Sequence, residues 1–217
     1  MTAETRERLA AFAREHMGEK RFRHTEGVAA EALRLGSIYL PDELDALETA
    51  AWLHDISKDL DHNAQLQYCT RFDIILDKYQ KRAPGVLHAI TGADTAERAL
   101  PDLVDRNVKS AIRYHTTGRE NMTVFESVIY LADYIEPGRR HESCRELRRY
   151  FYGDAGKKDK REHLADTMIM SFDMTVRYLT ETGALIDADT VSARNWFIMI
   201  RDEKRFDEFE EKLNEKQ

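Results

Sequence analysis

VFESVIYLADYI, residues Val124 to Ile135, decides the fold class. The segment is apolar nearly all round and carries β-branched residues, so composition alone suits a buried strand or a buried helix. Its twelve residues are long for a strand, and it reads as a central helix buried on every side. Outward from it the spacing is helical: Val28, Ala32, Leu35 and Tyr39 recur at three to four residues, as do Leu44, Leu47 and Ala51, and Val104, Val108 and Ile112. No segment alternates like a half-buried strand. The expected fold is therefore all-α, a bundle of roughly nine to eleven helices. Breaks are expected at 36–41, 82–85, 100–101, 136–138 and 152–156, each a short connection within one body.

The 217 residues are 42% hydrophobic with only 10 Gly and 4 Pro, enough for one sizeable core with few helix breakers. A body at 1–200 is expected, followed by a charged helical extension at 201–217 with Phe206, Phe209 and Leu213 on one side. The net charge of -7 argues against nucleic acid as a general partner. Residues 138–161 oppose that trend with nine Lys/Arg against four Asp/Glu, a basic island in which Glu142 and Glu146 are spaced to pair with Arg145 and Arg149. Arg139 and Arg140 could instead draw in a polyanion. No apolar stretch suits a membrane span or a signal peptide, and Cys69 and Cys144 form no paired motif. A cytoplasmic protein with no membrane partner is the default. A homodimer is an admissible assembly.

Chemistry enters through ionisable groups that extend the apolar stripes. His24 continues Val28 and Ala32; His54 continues Leu44, Leu47 and Ala51, with Asp55 next to it; His115 continues Val108 and Ile112; Asp133 is the one charge between Val128 and Ile135; His88 heads the small-residue row Gly92, Ala96 and Ala99. A single inward histidine is usually a hydrogen-bonded core residue. Six such groups together are poorly explained that way, because inward carboxylates are normally paired or metal-bound and four neutral imidazoles need an acceptor of lone pairs. Mixed imidazole and carboxylate donors without thiolate suit Mn, Fe, Co, Ni or Zn in an open site. Six donors exceed what one catalytic ion with open positions needs and suffice for two, with Asp55 able to bridge them. Lys58 falls on the helical side of His54 and Asp55, where its ammonium would meet phosphate, or else pair with Asp59 or Asp61. His16, His62, His141 and His163 stand among charged residues and are expected to face solvent.

His24-Thr25, HDISKD from His54, LHAITGA around His88, IRYHTTGRENMT around His115 and YLADYIEPGRR around Asp133 resemble the HD-domain metallohydrolases, and more narrowly the bacterial symmetrical bis(5'-nucleosyl)-tetraphosphatases. The motifs run from Arg21 to Arg139, with a weaker echo at 187–195. The resemblance implies a helical HD domain binding one or two ions, iron or a similar metal, through His24, His54, Asp55 and Asp133, with His88 and His115 facing a second ion or the substrate phosphates. It implies that Arg21, Lys58, Thr117, Gly118 and Arg139 surround a nucleotide. The implied reaction is symmetrical hydrolysis of diadenosine tetraphosphate and related dinucleoside polyphosphates to two nucleoside diphosphates, Asp55 holding the ions while Lys58 and Arg139 stabilise the anionic transition state. An HD-type nucleotidase or cyclic-dinucleotide phosphodiesterase would use the same metals, and a non-catalytic nucleotide-binding module would use them structurally. Ser127 departs from the lysine expected there, at a position that reads as surface.

Overall fold

The computed structural model describes residues 1–154 and 156–206, and the described residues form ten α-helices, one 3₁₀ turn and no strand. The helices are α1 (Ala3–His16), α2 (Glu19–Tyr39), α3 (Leu44–Leu53), α4 (His62–Arg71), α5 (Pro84–Ala99), α6 (Arg106–Tyr114), α7 (Val124–Ile135), α8 (Glu142–Asp154), α9 (Lys160–Glu181) and α10 (Ala188–Asp202), with the 3₁₀ turn Gln80–Arg82 before α5. The all-α expectation holds. None of these helices is long and apolar enough to cross a membrane.

Helix α7 is the central helix that its sequence predicts. Thr123 caps it: the Thr123 hydroxyl accepts from the Glu126 amide at 3.2 Å and the Glu126 carboxylate accepts from the Thr123 amide at 2.8 Å, so two N–H groups that the first turn leaves free are satisfied. Pro137 follows the C-cap Glu136 and ends the helix. Between the caps every residue is buried except Asp133 and Tyr134. Helices α2, α3 and α6 pack around α7, α5 lies against α6, and α9 with α10 forms a further pair against which α8 rests. One hydrophobic core runs through these layers, and a small satellite of Cys69, Leu76, Val86, Leu87 and Ile90 lies between α4 and α5.

Local details differ from the sequence reading. Helix α2 continues through Gly36 to Tyr39, because a Cβ at 36 would stand 2.5 Å from Leu47; the glycine brings α3 close and does not break the helix. Ser127 is fully buried on α7, its hydroxyl donating to the Thr123 carbonyl at 2.9 Å, so it is a core position and not a surface one. His163 is likewise buried, not solvent-facing: its Nε2 donates to the Phe151 carbonyl at 2.9 Å and its ring stacks on Phe151. His16 and His141 are exposed and His62 is half-buried. Of the extension, Arg201 and Asp202 complete α10 and Phe206 packs against the core, whereas Phe209 and Leu213 lie outside the described residues.

Candidate metal centre

Two helices end so as to aim a histidine at the same point. Helix α3 stops at Leu53 with His54 as its C-cap, and α6 stops at Tyr114 with His115 as its C-cap. A helix end leaves carbonyls without N–H partners. Each ring supplies one: His54 Nδ1 donates to the Ala51 carbonyl at 2.6 Å and His115 Nδ1 to the Ile112 carbonyl at 2.7 Å. A carbonyl only accepts, so each Nδ1 carries hydrogen and each Nε2 is the nitrogen turned inward. Beyond His54 the chain leaves the helix, so Lys58 is placed by a turn, its amide donating to the Asp55 carbonyl at 2.9 Å.

The six inward groups expected from the sequence meet. His24 arrives from α2, His54 and Asp55 from the end of α3, His88 from α5, His115 from α6 and Asp133 from α7. Donor atoms of His24, His54 and Asp133 lie within 4.8 Å of one another, as do those of His54, Asp55 and His115. Asp55 divides its oxygens between these groups. Its Oδ2 is 3.6 Å from His54 Nε2 and 4.0 Å from His24 Nε2, while its Oδ1 is 3.2 Å from His88 Nε2 and 3.5 Å from His115 Nε2.

Burial sets the charges. Burial pushes His54 down to about 4 and His88, with Lys58 adding to the effect, down to about 3, so both are neutral at pH 7. Asp55 is buried and Asp133 half-buried, which opposes ionisation, yet both carboxyls lie well below their usual range, Asp133 through the Arg139 guanidinium beside it. The result is electrostatically incomplete. His54 Nε2 has no hydrogen-bond partner, yet it lies 3.6 Å from Asp55 and 3.9 Å from Asp133, lone pair toward anion. His24 Nε2 is also unpartnered in hydrogen-bond geometry, at 2.8 Å from Asp133 Oδ1. Against its burial, the Asp133 and Glu136 carboxylates raise His24 to about 9, so in the metal-free chain a proton stands where a cation would, whereas His54 Nε2 faces its anions with none; buried imidazole nitrogens converging on carboxylates in this way are the donor set of a cation.

Around this cluster stand cationic side chains. Arg21 Nη1 donates to Asp55 Oδ2 at 2.8 Å, and Arg139 donates through Nη2 to the Asp133 carboxylate and through Nε to the Asp133 carbonyl at 2.9 Å. Lys58 Nζ lies 3.0 Å from His88 Nε2 and not on Asp59 or Asp61. Burial lowers the Lys58 pKa, against the pull of Asp55 and Asp133. The turn after α6 divides differently from the expectation. Thr116 Oγ1 reaches His88 Nε2 at 3.2 Å and His115 Nε2 at 3.1 Å, whereas the buried Thr117 donates to the Gly118 carbonyl at 2.8 Å and Gly118, at φ +65, faces the Phe172 ring. Thr116 and Glu136 are the groups here that the sequence reading passed over; Glu136 Oε1 lies 3.1 Å from His24 Nδ1. Of the basic island, Arg145 and Arg149 both pair with Glu142, at 3.6 and 3.0 Å.

The HD domain family model matches residues 21–138. The chain is 32% identical over 196 residues to the symmetrical bis(5'-nucleosyl)-tetraphosphatase of Bacillus subtilis, covering 89% of this chain and 97% of that protein. It is 32% identical over 184 residues to the enzyme of the same name from Halalkalibacterium halodurans, covering 85% and 92% of the two chains. Among solved structures, a predicted HD superfamily hydrolase from Clostridium acetobutylicum, described as involved in NAD metabolism, superposes with a TM-score of 0.79 at 33% identity, covering 89% of this chain and 96% of that one. The HD fold implies a divalent metal, and the orphaned imidazole nitrogens supply the donors for one. The match to the family model over more than half of the sequence, together with relatives aligned almost end to end, makes this chain a member of the HD-domain family, on its symmetrical bis(5'-nucleosyl)-tetraphosphatase branch.

Proposed function

We propose that this protein is a metal-dependent phosphohydrolase that cleaves diadenosine tetraphosphate and related dinucleoside polyphosphates symmetrically into two nucleoside diphosphates. The observation that carries the metal half of this reading is the pair of buried, unpartnered nitrogens, His24 Nε2 and His54 Nε2, facing the carboxylates of Asp55 and Asp133. The substrate half follows from the relatives, which bear that activity in their names.

In this reading His24, His54, Asp55 and Asp133 would hold one ion, and His88 and His115 would face a second, with Asp55 between the two groups. Iron is the metal we assign; Mn, Co, Ni and Zn suit the same donors. Such ions would supply Lewis acidity and lower the pKa of a bound water toward neutrality. The chain's own groups do the rest. Lys58, 3.0 Å from His88, brings an ammonium to the edge of the donor cluster, where it meets phosphate oxygens. Arg21 and Arg139 border the same cluster from the Asp55 and Asp133 sides and offset the charge of the departing diphosphate. The Thr116 hydroxyl, within 3.2 Å of His88 and His115, hydrogen-bonds the substrate in the place the resemblance gives to Thr117.

Metal analysis of the purified protein, coupled to chromatography of early products from diadenosine tetraphosphate, tests both halves. ADP alone, lost on chelation and restored by a first-row transition metal, is expected. Equal AMP and ATP would overturn the symmetrical assignment, and full activity in a metal-free preparation would overturn the metal.

A further inference from the structure

Each histidine that aims Nε2 inward needs its other nitrogen held, and three rings do this in two ways. His54 and His115 use a backbone carbonyl three residues back. His24 sits inside α2, where the carbonyls are taken up by the helix ladder, and its Nδ1 instead meets Oε1 of Glu136 at 3.1 Å, from a residue 112 positions away. Glu136 is only 4% exposed, an unusual place for a carboxylate. Its other oxygen, Oε2, accepts from the Gly138 amide. Its backbone is pinned as well: the Arg148 guanidinium from α8 donates to the carbonyls of Ile135, Glu136 and Arg139, and the Arg139 amide donates to the Glu136 carbonyl at 3.0 Å. Space for the carboxylate comes from α2 itself, one turn beyond His24. A Cβ on Gly27 would stand 2.6 Å from Glu136 Oε2 and 3.2 Å from its carboxyl carbon.

We propose that Glu136 is the positioning residue of the metal centre, fixing His24 with hydrogen on Nδ1 and a free lone pair on Nε2, and that Gly27 is there to admit its carboxylate. This inference rests on the metal reading above. Both Glu136 oxygens face N–H groups, so only a carboxylate, which accepts at both, satisfies the arrangement. An amide does not. With its oxygen on the Gly138 amide, its NH₂ group confronts Nδ1 and turns the ring to the tautomer that blocks Nε2; with its oxygen on Nδ1, the NH₂ group confronts the Gly138 amide. Outer carboxylates of this kind are worth on the order of 10 to 100-fold in metal affinity.

The test titrates metal-free protein with Co(II) in the absence of nucleotide, by equilibrium dialysis and by the visible absorption of the bound ion. Thermal melts of the metal-free forms run alongside. Glu136→Gln is expected to bind Co(II) about 10 to 100-fold more weakly than wild type. Gly27→Ala keeps every charge, and the helix propensity of alanine offsets the cost of displacing the carboxylate, so its metal-free melting temperature is expected to stay close to wild type while its Co(II) affinity falls in the same direction. A merely structural role for the pair predicts that affinity and melting temperature move together. Wild-type affinity in both variants overturns the assignment to Glu136 and leaves the metal reading standing; wild type that takes up no Co(II) overturns both.

Discussion

Lys58 and Asp55 lie three residues apart and are expected to fail in different ways. Asp55 touches both donor groups, so Asp55→Ala is expected to lose metal and turnover together. Lys58 is not itself a donor and reaches the cluster through His88; Lys58→Ala is expected to retain its metal by elemental analysis while kcat falls on the order of tenfold to a thousandfold, the effect of losing one charge contact to the transition state. Metal loss in Lys58→Ala would place the ammonium in support of the donors instead. At this scale the sequence was informative wherever an ionisable residue prolonged an apolar stripe, as with His24, His54, His88, His115 and Asp133. It was uninformative where polar residues were part of the stripe. His163 lies on a buried face with Leu164, Thr167, Met168 and Ser171, and the charged 160–162 before it hid that period. Glu136 had no local signal, since its partner is 112 residues distant and its own position, before Pro137, reads as the end of a helix.

Between elements, the turn from α6 toward α7 shows how a backbone conformation positions side chains. Helix α7 was legible from its apolar run and length, whereas its Thr-x-x-Glu cap emerges from the structure. Which threonine of the turn faces inward was not legible, because irregular backbone dihedrals have no period in sequence. Thr116 points toward His88 and His115 and Thr117 away from them, and Gly118 then turns the chain at φ +65. Its would-be Cβ stands 2.6 Å from the Phe172 ring and 3.0 Å from Ala193, on α9 and α10. Gly118→Ala combines left-handed strain with overpacking of a fully buried ring. It is expected to cost about 1–3 kcal/mol, read as a lower denaturation midpoint, with a further loss of turnover as Thr116 is displaced. A variant as stable as wild type would mean that the turn relaxes without strain.

For the molecule as a whole, the anions and bare nitrogens at the centre of the bundle make stability depend on the ion. A cation that binds the folded chain and not the unfolded one stabilises it by about 2.7 kcal/mol at a free concentration of 100 Kd. Chelation is accordingly expected to lower the melting temperature, and re-addition of metal to restore it; a melting temperature indifferent to chelator would show that the arginines at Asp55 and Asp133 neutralise the site unaided. The donors that create this dependence are spread along the chain, with His24 near the beginning and Asp133 on the seventh helix. During synthesis, therefore, the emerging chain has His24, His54 and Asp55 outside the ribosome well before Asp133, Glu136 and the Arg148 that holds the Glu136 carbonyl. Until α8 has been delivered, the early histidines have no finished cradle, so ion capture becomes a late event in the life of each new chain. A polypeptide released early, anywhere ahead of Asp133, would lack a principal donor of the metal centre.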